Sequence, residues 1–203
     1  MAMLYFLTKF FMKRVYIIHG WGGRPDKDWL GWLGSELEKK NFKVYIPKMP
    51  NTWVPRISEW ISKIESIVEE PDRNTYFVGH SIGCQAIMRY LEKLPGEIKI
   101  GGSIFVAGWL NLNDETWDET YTKEIADEWL NTPIDFNKIK KHSERFLVIN
   151  SDNDPYVPLD DVKLFKKNLD SKIIIEKNKG HISGEDGVTE LPVVLEELLK
   201  ISR

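Results

Sequence analysis

Two patterns of apolar and polar positions alternate along this chain. Six short stretches are almost continuously apolar, which is typical of strands buried on both faces of a sheet. They are Val15–His19, Lys43–Ile46, Thr75–Val78, Gly102–Ala107, Phe146–Asn150 and Lys172–Glu176. Between them, apolar residues recur every three or four positions, as in Val54, Ile57 and Ile61. This second spacing predicts amphipathic helices.

The alternation of strands and helices predicts an α/β fold, a three-layer α/β/α sandwich with a mainly parallel sheet of about six strands. Right-handed crossovers place the carboxyl ends of parallel strands at one edge, where binding sites of open α/β sheets lie. The chain has 203 residues, of which 42% are hydrophobic. This is enough for one sizeable core, and we expect a single domain over residues 13–203.

The first 12 residues form an apolar N-terminal extension to this domain. The stretch is shorter than the roughly 20 residues that a membrane span needs. Its basic pair, Lys13 and Arg14, follows the apolar run, which is not the layout of a signal peptide. We interpret the extension as a start site placed early, with Met12 as the natural beginning, or as an apolar arm against a partner subunit.

A long segment, residues 109–135, separates the fourth and fifth predicted strands. Such loops usually have 2 to 6 residues. This one contains eight acidic residues and one base, Lys123, together with Trp109, Trp117 and Trp129. We interpret it as a small cap whose tryptophans line an apolar substrate pocket, while its acids disfavour anionic substrates. The alternative is that the acids solvate an outer face and the tryptophans pack on the core.

Charge and cysteine content narrow the partners and the compartment. The formal net charge is −3 and the chain has no block of Lys or Arg, so we expect neither nucleic acid nor a membrane as partner. The only cysteine is Cys84. An intramolecular disulfide is therefore excluded, which fits a reducing cytoplasm.

The strongest chemical signal is the pentapeptide Gly79–Gly83, which reads G-x-S-x-G between a predicted strand and a predicted helix. In this context the serine stands on a sharp, strained turn with its hydroxyl exposed. The amides at the start of the helix then face the negative charge that develops in acyl transfer. Ser81 is the predicted nucleophile. The alternative is a chance match in a turn rich in Gly and Ser.

A serine nucleophile needs a base, usually a histidine. His181 follows the last predicted strand in a short loop at the carboxyl edge, and we predict it as the base. The other three histidines fit this role less well. His80 lies inside the pentapeptide, His19 lies in a glycine-rich turn that it shapes, and His142 precedes the fifth strand at the opposite end of the sheet.

The acid that orients the base is expected on the loop after the fifth strand. We favour Asp154, because Pro155 keeps it out of the helical region and projects it past the sheet edge. Asp152 is the alternative acid, although we expect it to form an Asx-turn that shapes the loop. A calcium loop is excluded, because Tyr156 and Val157 occupy positions that need an oxygen ligand and a glycine.

The glycine-rich turn after the first strand, residues 19–23, supplies the fourth part of the site. It does not match a dinucleotide-binding motif, because Pro25 replaces the third glycine. It does match half of an oxyanion hole, in which the main-chain N–H groups of Trp21 and Ile82 bind the developing oxyanion. The alternative is an ordinary strand-to-helix turn.

Four motifs occur in this order along the chain: HGWGG at 19–23, GHSIG at 79–83, DNDPYVP at 152–158 and the pair Gly180–His181. With these motifs, the chain resembles the compact serine hydrolases related to retinoblastoma-binding protein nine. The resemblance implies a reduced α/β-hydrolase fold that lacks the first two strands of larger members. It also implies a Ser81–Asp154–His181 triad and hydrolysis of ester-like acyl bonds.

The sequence therefore predicts a cytoplasmic serine hydrolase that cleaves a carboxylic ester or related acyl bond of a small molecule through an acyl-Ser81 intermediate. It would need no cofactor and no metal. Peptidase, thioesterase and acyltransferase activities remain alternatives, because they use the same groups. A further alternative is a non-catalytic binding module that retains the fold.

Overall fold

In a computed structural model of the chain, the described residues are 12–113 and 120–203. Six strands form one sheet in the order β2-β1-β3-β4-β5-β6, and every neighbouring pair is parallel. The strands are β1 Arg14–Ile18, β2 Lys43–Tyr45, β3 Thr75–His80, β4 Gly102–Val106, β5 Phe146–Ser151 and β6 Lys172–Glu176. The predicted parallel sheet of about six strands is confirmed.

Seven helices lie in the described residues: α1 Leu30–Glu38, α2 Ile57–Ile67, α3 Ile82–Lys93, α4 Thr120–Asn131, α5 Phe136–Lys140, α6 Asp161–Leu169 and α7 Pro192–Ile201. None of the helices in this part of the chain is long and apolar enough to cross a membrane. The first 11 residues lie outside the described part, so the interpretation of the N-terminal extension stays a prediction.

Helices cover both faces of the sheet. Adjacent strand residues Phe77 and Val78 belong to two different buried clusters, as the alternation of side chains along a strand requires. One cluster includes Trp60 of α2 and Phe165 of α6, and the other includes Leu33 of α1. The three-layer sandwich expected from the sequence is therefore present.

One predicted helical position differs. The apolar spacing that begins at Val54 predicts a helix from there, but α2 begins at Ile57 and Val54 is exposed. Pro55 follows Val54 and disfavours the helical conformation for it. The helix consequently begins two residues after the proline.

The strand order reverses between β1 and β3. From β1 the chain continues to β2 on one side, whereas β3 and all later strands lie on the other side. The loops that leave the carboxyl ends of β1 and β3 diverge there and leave a crevice, where open α/β sheets bind their ligands. These loops carry the glycine-rich turn 19–23 and Ser81, so the fold brings two predicted parts of the site together.

Candidate active site

Ser81 occupies a strained turn between β3 and α3. Its dihedral angles are φ 54° and ψ −125°, a region that non-glycine residues rarely adopt and that costs on the order of 1–3 kcal/mol. The flanking glycines permit the turn. A Cβ at Gly83 would lie 2.4 Å from the carbonyl oxygen of Ile18, and one at Gly79 would lie 2.8 Å from the backbone of Cys84. The turn therefore presents Ser81 at the start of α3.

Asp154 and His181 form a buried hydrogen bond, with 2.8 Å between Oδ2 and Nδ1. The carboxyl side chain is 1% exposed and the imidazole 14%. The other carboxyl oxygen, Oδ1, accepts from the amides of Tyr156 and Val157. An ionised carboxylate only accepts hydrogen bonds, so Nδ1 of His181 carries the proton and Nε2 is left as the basic atom. The predicted acid and base are therefore hydrogen-bonded to each other.

The prediction for Asp152 is wrong in its local role. Its Oδ1 accepts from the amide of Asn178, in the loop after β6, instead of forming an Asx-turn. The turn at this position is formed by Asp154 through the amides of Tyr156 and Val157. The reason is that β5 and β6 are neighbours, so the loops that follow them lie against each other.

His80 is buried and supports His181. Its Nε2 donates to the main-chain oxygen of His181 at 3.0 Å, and its ring meets the edge of Trp29. Burial, and after it the nearby imidazole of His181, lower the pKa of His80 from its usual 6.5 to about 4. His80 is therefore neutral at pH 7 and donates one hydrogen bond. This agrees with a structural role in the Gly79–Gly83 turn.

The two remaining histidines have other hydrogen-bond partners and do not occupy the position of the predicted base. His19 donates from Nδ1 to the carbonyl oxygen of Gly20 and accepts from the amide of Met49 at Nε2, which shapes the glycine-rich turn; its burial lowers its pKa. His142 bonds through Nδ1 to the carbonyl oxygen of Ile98, before β4 and β5 begin. No group of three or more potential metal ligands occurs in the described residues.

The glycine-rich turn is held by the segment before α2. The amide of Gly22 donates to the carbonyl of Thr52, and the indole N–H of Trp21 donates to the carbonyl of Trp53. Neither the main-chain amide of Trp21 nor that of Ile82 donates a hydrogen bond within residues 12–113 and 120–203. Both residues line the pocket that contains Ser81. The two amides are therefore available to a group bound in this pocket, and an oxyanion hole formed by them stays a prediction.

This pocket has a volume of about 310 Å³ and lies at the carboxyl edge of the sheet. Ser81 and His181 line it together. Its larger apolar wall residues are Trp21, Trp53, Ile82, Trp109, Leu112 and Tyr156, and its charged lining residues are Lys27, Asp28 and Glu185. The ammonium of Lys27 lies 3.4 Å from the carboxylate of Glu185. The walls are thus mainly apolar, with a small charged section.

The structure places the three predicted pocket tryptophans differently. Trp109 is buried and lines the pocket. Trp129 does not line it, which corrects the prediction: its ring packs edge to face with Trp60, and its N–H donates to the carbonyl of Pro55. This side of α4 covers the core, so Trp129 follows the alternative that the sequence left open. Trp117 lies outside the described residues.

None of the described acids of the cap lines the pocket, and three of them bind protein groups. Glu128 accepts from the amide of Ile57 and pairs with Arg56. Asp127 pairs with Lys123, and Asp135 caps α5. Glu124 also lies outside the pocket lining, and Asp114, Glu115, Asp118 and Glu119 lie outside the described residues. The described part of the cap therefore does not support the prediction that acidic residues of the cap make the pocket negative.

The pocket is also lined by Trp53 and Tyr156, whose positions in the sequence predict no such role. The side chain of Trp53 is 69% exposed, and its ring lies where a Cβ on Gly22 would be only 2.8 Å away. The rings of Tyr156 and His181 pack in a T-shaped arrangement, with their centroids 5.2 Å apart. Exposed aromatic residues in loops carry no periodic signal, so only their tertiary position reveals the role.

A serine on a strand–turn–helix elbow, beside a His–Asp pair at the carboxyl edge of a parallel sheet, defines the α/β-hydrolase class. Residues 15–200 match the sequence model of the family described as serine hydrolase. The chain belongs to this family, as its motifs predict.

Two relatives agree with this assignment. YdeN of Bacillus subtilis is 32% identical over 186 residues, which cover 92% of this chain and 94% of YdeN. Its crystal structure superimposes with a TM-score of 0.84 over 94% of this chain and 98% of that one. The serine hydrolase RBBP9 of Rattus norvegicus is 26% identical over 170 residues, which cover 83% of this chain and 85% of RBBP9. The predicted resemblance to the RBBP9-related hydrolases is confirmed.

Proposed function

We propose that this protein hydrolyses carboxylic esters of neutral, apolar acyl groups through an acyl-Ser81 intermediate. The observation that carries the proposal is the buried hydrogen bond between Asp154 and His181 in the pocket that Ser81 lines. In the neutral imidazole this bond places the single ring proton on Nδ1, so Nε2 is the atom that can accept the proton of a serine hydroxyl.

In the first half of the reaction, Oγ of Ser81 attacks the ester carbonyl carbon while Nε2 of His181 takes the hydroxyl proton. The carbonyl oxygen becomes an oxyanion and accepts hydrogen bonds from the amides of Trp21 and Ile82. When the tetrahedral intermediate collapses, the bond to the alcohol oxygen breaks and His181 donates its proton to the departing alkoxide. The products of this half are a free alcohol and an acyl-serine.

In the second half, water attacks the acyl-serine and gives one proton to Nε2 of His181. The second tetrahedral intermediate collapses by breaking the bond to Oγ, and His181 returns its proton to Ser81. Asp154 stabilises the imidazolium in both halves and stays ionised. The net reaction converts one ester and one water into one alcohol and one carboxylic acid, and it requires no cofactor or metal.

The apolar walls support a neutral acyl group of short or medium length. A pocket of about 310 Å³ holds a small molecule, and its large wall residues are mostly aromatic. The charged lining residues are one cation and two acids, so an acyl group with a free carboxylate meets a net negative section. We propose a small-molecule substrate and, because the single cysteine fits a reducing compartment, a cytoplasmic location.

A fluorophosphonate probe tests the proposed chemistry directly. We expect stoichiometric labelling of Ser81, located by peptide mass spectrometry, and no labelling of Ser81→Ala. A panel of matched ester, thioester and aminoacyl substrates then identifies the acyl bond that is cleaved fastest. Absence of labelling in folded protein would favour the binding module instead.

Charge-matched substrate pairs test the acyl preference. A neutral ester and its carboxylate-bearing analogue are compared at low and high salt, because screening weakens electrostatic discrimination. We expect a higher kcat/KM for the neutral ester, with a smaller ratio at high salt. Equal values at low salt would contradict the proposed preference.

A further inference from the structure

Two loops are joined by a series of hydrogen bonds beside the predicted base, His181. The first loop runs from Ser151, the last residue of β5, to Asp154. The second loop, residues 178–181, follows β6, and β5 and β6 are neighbours in the sheet. Three consecutive main-chain amides of the second loop donate to three side chains of the first: Asn178 to Asp152 Oδ1 at 2.8 Å, Lys179 to Ser151 Oγ at 3.0 Å and Gly180 to Asn153 Oδ1 at 2.9 Å. The fourth contact is the bond between Asp154 and His181.

The loop that carries His181 needs this external support. Asn178, Gly180 and Ile182 have φ values of 52°, 54° and 53°, so every second residue adopts the left-handed conformation. Glycine and asparagine adopt this conformation readily, but it is unfavourable for a β-branched residue such as Ile182. The residue after His181 therefore keeps its conformation through contacts with the rest of the fold.

On the far side of His181, two ring N–H groups bind the main chain. His80 donates to the carbonyl of His181, and Trp29 donates to the carbonyl of Ile182 at 2.9 Å. The segment is thus held from its amide side by residues 151–153 and from its carbonyl side by His80 and Trp29. The main chain of His181 is fixed from both directions.

We infer that Asn153 is a positioning residue that sets the place of His181 through the amide of Gly180. Its Oδ1 accepts two hydrogen bonds, from that amide and from the hydroxyl of Ser151 at 2.8 Å, which ties the two side-chain acceptors together. Gly180 directly precedes His181, so its displacement moves the base. This inference rests on the proposed function of Ser81 and His181.

The side-chain amide of Asn153 is neutral, which explains why an asparagine and not an aspartate occupies this position. An aspartate would accept the same hydrogen bonds but would place a second negative charge beside the residue that precedes the base. A nearby negative charge favours the imidazolium form of His181. The imidazolium cannot take the proton of Ser81, so the neutral amide supplies an acceptor without impairing the base.

Two variants separate these effects. Asn153→Ala removes the acceptor, and we expect kcat to fall by about 10- to 100-fold with KM changed less than about threefold, since small displacements of catalytic groups have effects of this size. Asn153→Asp keeps the acceptor, so its kcat at pH 8 stays within about threefold of the wild type. The ratio of its kcat to that of the wild type is at least about twofold lower at pH 6 than at pH 8. The reason is that the acidic limb of its pH–rate profile moves to higher pH.

Exposed Asn137, in α5, provides the matched controls. Asn137→Ala repeats the side-chain truncation and Asn137→Asp repeats the charge change, and both should match the wild type in rate and pH profile. The inference is overturned if Asn153→Ala keeps kcat within twofold of the wild type. It is equally overturned if the pH profile of Asn153→Asp superimposes on that of Asn137→Asp, a comparison that holds even where Asn153→Ala fails to fold.

An NMR titration of the His181 imidazole separates this inference from the proposed function, because it needs no turnover. We expect the midpoint of the titration to be higher in Asn153→Asp than in Asn137→Asp. If the wild type is not labelled by the fluorophosphonate but this shift is observed, the proposed function fails, while the closeness of residue 153 to the His181 imidazole, on which the inference rests, stands. If labelling occurs and the midpoints coincide, the positioning inference alone fails.

Discussion

His80 donates a hydrogen bond from Nε2 to the main-chain oxygen of His181, and the centroids of the two rings are 5.2 Å apart. The residue before the nucleophile thereby holds the backbone of the base, 101 positions later in the chain. The contact couples the elbow to the loop after β6 without occupying either reacting atom. His80 is neutral at pH 7, because burial beside Trp29 and His181 lowers its pKa.

The buried, neutral state of His80 predicts a loss of stability in mild acid. Burial lowers its pKa to about 4 in the folded protein, against 6.5 for the free side chain. The unfolded chain therefore binds more protons between pH 6.5 and 4, and the contribution of His80 is complete above this window and is lost as the pH falls through it. We expect about 1–2 kcal/mol less stability at pH 5 than at pH 7 from this residue.

Denaturant unfolding of the wild type and of His80→Gln at pH 7 and pH 5 measures this effect. Glutamine retains an N–H donor but does not titrate, so the variant should lose less stability between the two pH values. Identical losses in the two proteins would show that His80 does not control the acid response.

The triad predicts strongly non-additive effects on turnover. Ser81→Ala and His181→Ala should each lower kcat by roughly 10⁴- to 10⁶-fold, and the double variant should lose little more, because the residues act as one unit. Steady-state kinetics on the best ester of the panel measures all three. Losses that multiply in the double variant would refute the shared role.

The two aspartates of the loop after β5 should respond differently to amide substitution. Asp154→Asn keeps the fold but favours the wrong tautomer of His181, and we expect a loss on the order of 10⁴ in kcat. Asp152→Asn still accepts from the amide of Asn178, so its effect should be within about threefold. Ester hydrolysis by both variants decides the matter, and the reverse order would move the acid to Asp152.

Trp53 should determine the preference for longer acyl groups. Its exposed ring lines the pocket, whereas its neighbour Val54 is exposed but does not line it. Trp53→Ala should lower kcat/KM by about 5- to 20-fold for hexanoyl esters and by less than about twofold for acetyl esters, since each buried methylene contributes about 0.8 kcal/mol. Val54→Ala is the control. A loss independent of chain length would assign Trp53 a role in holding the turn at Gly22 instead.

Local patterns were sufficient for the sheet and for part of the site. The six predicted strands overlap the observed ones, because a strand buried on both faces leaves a continuous apolar run. The position of Ser81 was also readable, since glycine, strand and helix signals lie within a few residues of it. These features depend on residues that are close in the sequence, so local sequence patterns predict them directly.

Contacts between loops were decided by the tertiary structure. Asp152 was expected to bond within its own turn, but it bonds to Asn178 because β5 and β6 lie side by side. Trp129 was expected in the pocket, but the packing of α4 directs it to Trp60. Neither outcome follows from composition or spacing, because each depends on which elements become neighbours in space.

The sequence by itself determined the α/β class and predicted the nucleophile and the order of acid and base, since strand–turn–helix signals and motif spacing act over short stretches of chain. Only the tertiary structure decided the support of His181 by Asn153 and the pocket wall formed by Trp53. Both arise where loops from separate strands converge at one sheet edge. The physical reason is that strand order and packing, which set these distances, are properties of the whole folded chain.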